Sequence, residues 1–201
     1  MKKIIICEGK HDGIFFEQLL KNLNFSKDDF KIFDPENQKK KDKKSAETRE
    51  LNSFIEKYNQ NKILIKLEGG KHFAIKIFST NMRYCVENIS PEGLILMIDL
   101  DGEEVEKRKN SLIETLNGRM TMPMNLDFSH KMENDHLYHL KTKVSQNNSE
   151  LGQFHIILFK KSLEHSCGIS DGTCMLKEKI SKIDEFILRE NLINFFSQII
   201  N

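Results

Sequence analysis

The sequence predicts an α/β protein: a parallel sheet of about four strands between helices, in a single domain over residues 1–201. Three observations carry this. Short, predominantly apolar runs recur at residues 4–7, 63–67, 94–98 and 154–159, broken only by Lys66 and His155, and strands of that kind are buried on both faces, as in parallel sheets. Segments with helical spacing separate them. The first three runs each stop at an acid or a glycine, residues suited to the turn that leaves a sheet.

Taken in order, residues 4–7 (IIIC) form the first strand, ended by Glu8-Gly9. Asp12 opens a helix carried by Ile14, Phe15, Phe16, Leu19, Leu20 and Leu23. Residues 30–33 read as a short extended piece, 38–44 as a solvated lysine-heavy tract, and 46–58 as a helix through Leu51, Phe54, Ile55 and Tyr58. The strand at 63–67 ends in Glu68-Gly69-Gly70, and Phe73, Ile77 and Phe78 belong to a helix leading away. The strand at 94–98 ends in Asp99-Leu100-Asp101-Gly102; Val105, Leu112, Ile113 and Leu116 carry the next helix, stopped near Gly118. Residues 119–152 show no clean period and read as an irregular excursion. The strand at 154–159 and helices at 175–187 and 190–200 complete the chain.

Composition narrows the function classes. With 38% apolar and 30% charged residues, 201 residues suffice for one sizeable core. A net charge of +1 gives no global field that would mark a nucleic-acid or membrane binder, so a basic site must come from local clustering. No apolar run approaches the ~20 residues needed to cross a bilayer, and Glu8 interrupts the N-terminal apolar stretch too early for a signal peptide. A cytoplasmic protein with reduced thiols is expected. Cys167 and Cys174, with His165 and His155, also admit a zinc reading, but their spacing is not that of a zinc knuckle and no fourth ligand is obvious.

In open parallel sheets the functional crevice lies beyond the carboxyl ends of the strands. Glu8, Asp12, Asp99 and Asp101 all belong to that edge if the strands are neighbours. Asp99 and Asp101 are two apart and point the same way if the chain there is extended. Like charges so placed repel unless a cation lies between them, and hard carboxylate oxygens suit Mg²⁺ or Mn²⁺. Each acid taken alone is better explained as a turn residue or a helix cap. Their recurrence at successive strand ends is what favours a site.

A strand ending in Glu8-Gly9, an acid four residues on at Asp12, and a later strand ending in Asp99-x-Asp101 resemble the Toprim domain. Gly69-Gly70-Lys71 after the second strand resembles the overcoming-lysogenisation-defect (OLD) nuclease branch of it. The resemblance covers roughly 1–116 and 154–166, with about 25–61 as a helical insertion. It implies metal-dependent phosphodiester chemistry on nucleic acid. Glu8 would be the acid/base and a metal ligand, Asp99 and Asp101 the metal pair, Asp12 a further catalytic acid, and Glu164 a further ligand. Gly9, Lys10, Gly70, Lys71, Lys160 and Lys161 would face phosphate; lysines are ordinarily surface solvators. No G-x-x-x-x-G-K-[ST] motif occurs, so an ATPase of the kind that accompanies OLD nucleases would be a separately encoded partner.

Two other readings stay open. The strand with Asp99-x-Asp101-Gly102 is also similar to the first motif of haloacid-dehalogenase phosphatases, which implies Asp99 as nucleophile and Asp101 as general acid. Residues 168–173 imitate a later acidic motif of that family, but Glu103 replaces the usual Thr or Val, and no lysine motif is evident. The third reading is a non-catalytic Toprim-like interaction module. The phosphatase has no need of Glu8 beside the Asp pair, whereas the nuclease requires it.

Overall fold

Strand β1 (Lys3–Cys7) is buried at every position and is an interior strand of the sheet, paired in parallel on both sides. The computed structural model describes residues 2–35, 50–55, 62–88, 93–118, 123–170 and 175–200. The lysine tract at 38–44, Cys174 and part of the motif at 168–173 lie outside them, as do both ends of the expected 46–58 helix, of which 50–55 is helical.

The chain runs through β1, α1 (Lys10–Asn22), β2 (Phe30–Phe33), β3 (Ile63–Leu67), α2 (Lys71–Asn88), β4 (Leu94–Asp99) and α3 (Val105–Asn117). It continues through β5 (Asn125–Glu133), β6 (Leu137–Gln146), β7 (Ser149–Phe159), α4 (Leu163–Cys167), α5 (Leu176–Arg189) and α6 (Leu192–Ile200). The strands form one sheet in the order β2-β3-β1-β4-β7-β6-β5. Those from β2 to β7 in that order are parallel, and β6 and β5 extend the sheet antiparallel.

The α/β class expected from sequence is therefore present, but the sheet is mixed and seven-stranded rather than a parallel sheet of about four. Both differences come from segments where apolar patterning is weak. The extended piece at 30–33, inside the expected insertion, is an edge strand against β3. The excursion at 119–152 is not irregular: it holds β5, β6 and the start of β7. Its period is hidden by register shifts at His130/Met132 and at Val144/Ser145. The edge strand β5 is largely exposed and polar, which is how edge strands avoid pairing with other chains. Asn147 and Asn148, with φ of 51° and 63°, form the two-residue β6–β7 turn; asparagine tolerates the left-handed region such turns require.

Alternation along each parallel strand divides the core in two. Ile4, Ile6, Leu64, Leu96 and Ile98 face α2 and α3, while Ile5, Cys7, Ile65, Met97 and Ile157 face α1, α5 and α6. On the second side Phe15 meets Phe159 and Phe196 edge-on, at centroid distances of 5.9 and 5.5 Å. Covering both faces forces polar loops to the strand ends, and every parallel strand points its carboxyl end to the same edge.

A buried histidine pair joins β6 to β7: His139 Nε2 lies 2.8 Å from His155 Nδ1, with Phe195 of α6 edge-on against His139. Burial first, then the charge of His155, pushes His139 down to about 4. The unfolded chain therefore binds more protons than the folded one between pH 4 and the ordinary histidine value of 6.5, and stability falls on acidification through that window. Urea denaturation should show His139→Leu flattening this acid limb by about 1 kcal/mol or more.

Candidate functional site

At the carboxyl edge, the β1 chain continues past Cys7 between the ends of its two neighbours. Glu68 N–H donates to Cys7 O (3.1 Å) and Gly70 N–H to Glu8 O (2.7 Å), so pairing with the β3 side persists into the loop. That path requires φ of 72° at Gly69 and 129° at Gly70, conformations glycine adopts without a steric penalty. On the other side Asp99 N–H donates to Glu8 Oε1 (2.7 Å). Glu8 is thus tied to the end of β4 by its side chain.

Glu8, Asp12, Asp99 and Glu164 line one cleft of about 400 Å³, together with Gly9, Lys10, His11, Asp34, Leu67, Gly69 and Gly70. Asp12 in the first turn of α1 reaches back to accept Gly9 N–H (2.9 Å), so it also caps the helix as the simpler reading held. It is nonetheless 8% exposed. Burial, then the charges of Glu8 and Glu164, pushes its carboxyl up to about 7. Asp99 is pushed up to about 8, by burial first and then by Asp12, Glu8, Glu164 and Asp101. Glu8 is raised by burial, opposed by the Asp99 N–H and by Lys71. The acids of the cleft therefore oppose one another's ionisation and hold protons to unusually high pH.

Asp101 departs from expectation. Its φ of 52° places it in a left-handed turn with Gly102, so the chain is not extended there and the two aspartates do not project together. The Asp101 side chain is exposed and pairs with Lys71 at the head of α2. It remains near enough for its charge to raise both Glu8 and Asp99, and it belongs to the rim.

The expected phosphate-facing residues divide. Lys10 lines the acidic cleft, as do Gly9 and Gly70, but Gly9 N–H is spent on Asp12 and Gly70 N–H on Glu8 O. Gly9 itself is extended (φ −162°), and a Cβ there would meet nothing within 4 Å; a sharp turn is not its reason. Lys71 is held by Asp101. Lys160 is held by Glu133 (2.6 Å) over the Tyr138 ring, and Lys161 donates to His165 Nε2 (3.1 Å). Both line a neighbouring cleft with His136 and Asp135.

Two cleft groups escaped sequence reading, His11 and Asp34, and so did Lys179, which stands behind His11. His11 Nδ1 is 2.6 Å from Glu164 Oε1, and Lys179 Nζ is 3.0 Å from His11 Nε2. An ammonium can only donate, so Nε2 accepts and the Nδ1 proton goes to Glu164. This chain fixes Glu164, carried on the short helix α4, against α1 and α5. His11 lies between Lys10 and Asp12, where proximity to the acidic motif was the available signal; Lys179 had none.

Among the described residues, no three His, Cys, Asp or Glu side chains stand close enough to hold an ion as they are. The donor set is nevertheless all carboxylate oxygen, and its mutual repulsion is what a hard divalent cation relieves. The zinc reading finds less: Cys167 is buried with its thiol pushed up to about 12, the opposite of a thiolate ligand, and His155 pairs with His139. No family model, curated protein or solved structure matches the chain. No helix among the described residues is long and apolar enough to cross a membrane.

Proposed function

We propose that the chain performs divalent-metal-dependent phosphodiester chemistry on nucleic acid, as a Toprim-like, OLD-type nuclease. The observation that carries this is the hydrogen bond from Asp99 N–H to Glu8 Oε1 inside a cleft also lined by Asp12 and Glu164. It favours the nuclease over the aspartyl phosphatase, which has no use for a glutamate fixed there. Glu8 and Asp99 would hold Mg²⁺ or Mn²⁺, with Asp101 and Glu164 at the margin if they leave Lys71 and His11. Such an ion, when bound, supplies neutralisation of phosphate charge and a more acidic water.

The chain's own residues divide the remaining work. Glu8 is held by a rigid strand end, so its free oxygen keeps one direction and can take a proton from an attacking water. Asp12 anchors the junction between β1 and α1 through Gly9 N–H. Lys10, at the cleft, offers a cation to a non-bridging phosphate oxygen. A separately encoded ATPase partner remains part of the proposal by analogy with OLD systems.

The test is cleavage of single- and double-stranded DNA and RNA with Mg²⁺ or Mn²⁺, beside hydrolysis of a generic phosphate monoester. Strand cleavage is expected; monoester hydrolysis alone would transfer the site to the phosphatase reading, and silence in both would leave a binding module. Metal should also act on folding. Adding Mg²⁺ or Mn²⁺ at a hundredfold excess over Kd stabilises by about 2.7 kcal/mol through mass action, or roughly 5–10 °C in Tm for a chain of this size. Asp99→Asn should abolish that rise in thermal melts, and a rise that persists would move the ion elsewhere.

A further inference from the structure

Helix α2 leaves one face uncovered, and that face begins beside the acidic cleft. Its inner side is packed: Ala74, Ile75, Phe78, Met82, Cys85 and Val86 are buried. The solvent side carries Phe73, Lys76, Thr80, Arg83, Tyr84 and Glu87. Positions seven and eleven residues after Phe73 fall on the same line of an α-helix, so Phe73, Thr80 and Tyr84 are aligned, with Lys76 and Arg83 flanking them. Phe73 is 54% exposed and Tyr84 38%. Phe73 stands in the first turn, three residues past the cleft-lining Gly70. Tyr84 is three turns further, about 16 Å away.

Aromatic rings held in water with cations alongside are the elements by which proteins take up unpaired bases and their phosphates. Arg83 gives its Nε to Glu87 (2.9 Å) and keeps its terminal nitrogens for another acceptor; Glu87 lies at the end of the helix remote from the cleft. We propose that this face of α2 guides a single-stranded nucleic acid away from the cleft, Phe73 and Tyr84 stacking on bases while Lys76 and Arg83 meet the backbone. The inference rests on the function proposed above, to which it adds the substrate class. A duplex fits less well, because its base faces are already covered by its own stacking.

Fluorescence anisotropy without divalent ions, using short labelled oligo(dT), oligo(U) and a blunt duplex, tests this. The wild-type protein should bind the single strands more tightly than the duplex. Phe73→Ala and Tyr84→Ala should each weaken single-strand binding about tenfold, with unchanged Tm because both rings are largely outside the core. Phe73→Trp should retain affinity, and Lys76→Ala should lower the salt dependence by about one counterion. Equal affinity in the alanine variants, preference for the duplex, or no wild-type binding would overturn the inference. The same strands incubated with Mg²⁺ separate the two claims. Cleavage insensitive to both rings removes this surface and keeps the nuclease; ring-dependent binding without cleavage keeps the surface and removes the nuclease.

Discussion

Glu8→Gln is expected to reduce strand cleavage by ~10²-fold or more, the usual loss when a general base is removed, while leaving the protein folded. Glutamine matches glutamate in size and still accepts the Asp99 N–H through its amide oxygen, so the tie between β1 and β4 survives. What disappears is basicity and one negative charge. That charge sits among Asp101 and Glu164, both of which raise the Glu8 carboxyl, so its removal relieves repulsion. The variant should melt at the same temperature as the wild type in EDTA, or slightly higher. It should also lose part of the Tm rise produced by Mg²⁺.

This combination distinguishes a catalytic carboxylate from a structural one. A residue kept only to close the strand end would lower Tm when altered and leave turnover nearly intact, because its contribution would be packing and hydrogen bonding. Paired measurement of cleavage rate and thermal melting in the one variant decides the matter. A fully active Glu8→Gln protein would end the mechanism proposed here.

How far the sequence disclosed this site follows from the forces at each position. The strands β1, β3 and β4 were legible because burial on both faces selects a predominantly apolar run, and the one lysine inside β3, Lys66, is buried against Glu68 (3.0 Å). Glu8 and Asp99 were legible by the same logic, as the first polar groups after such apolar runs, and Asp12 by its place at the head of the following helix. β5 and β6 were not, because an edge hairpin with two register shifts blurs any period of two. The direction of Asp101 was not legible because a single left-handed residue (φ 52°) reverses a side chain without altering the sequence motif. Lys179 lies 168 residues from His11 along the chain and reaches it only because α5 packs against α1. Contacts of that kind are set by tertiary packing, and no local pattern encodes them.

The protein without metal should lose stability as pH rises from about 6.5 to about 8, the reverse of an ordinary protein whose carboxylates are paired. Asp12 and Asp99 start from an ordinary value of 3.8 and stand at about 7 and about 8 in the folded state. Between those limits the folded state holds protons that the unfolded chain has released, so unfolding is favoured by raising pH. The contribution is fully present below pH 3.8 and lost as pH passes through 7 and then 8. Each pKa unit corresponds to about 1.4 kcal/mol. Above pH 6.5, where only these two acids still titrate, the loss is on the order of 3 kcal/mol, or roughly 6–12 °C in Tm. His139 works in the opposite direction between pH 4 and 6.5, so the acids are isolated by difference. In Asp99→Asn the fall above pH 6.5 should shrink by well over half, because Asp99 holds the higher value and Asp12 also loses a repelling neighbour. In the wild-type protein, saturating Mg²⁺ should flatten it, since a bound cation stabilises the ionised carboxylates and returns their pKa values toward the unfolded ones. A curve with the same alkaline slope in wild type, variant and metal-loaded protein would mean that these carboxyls do not share one electrostatic site.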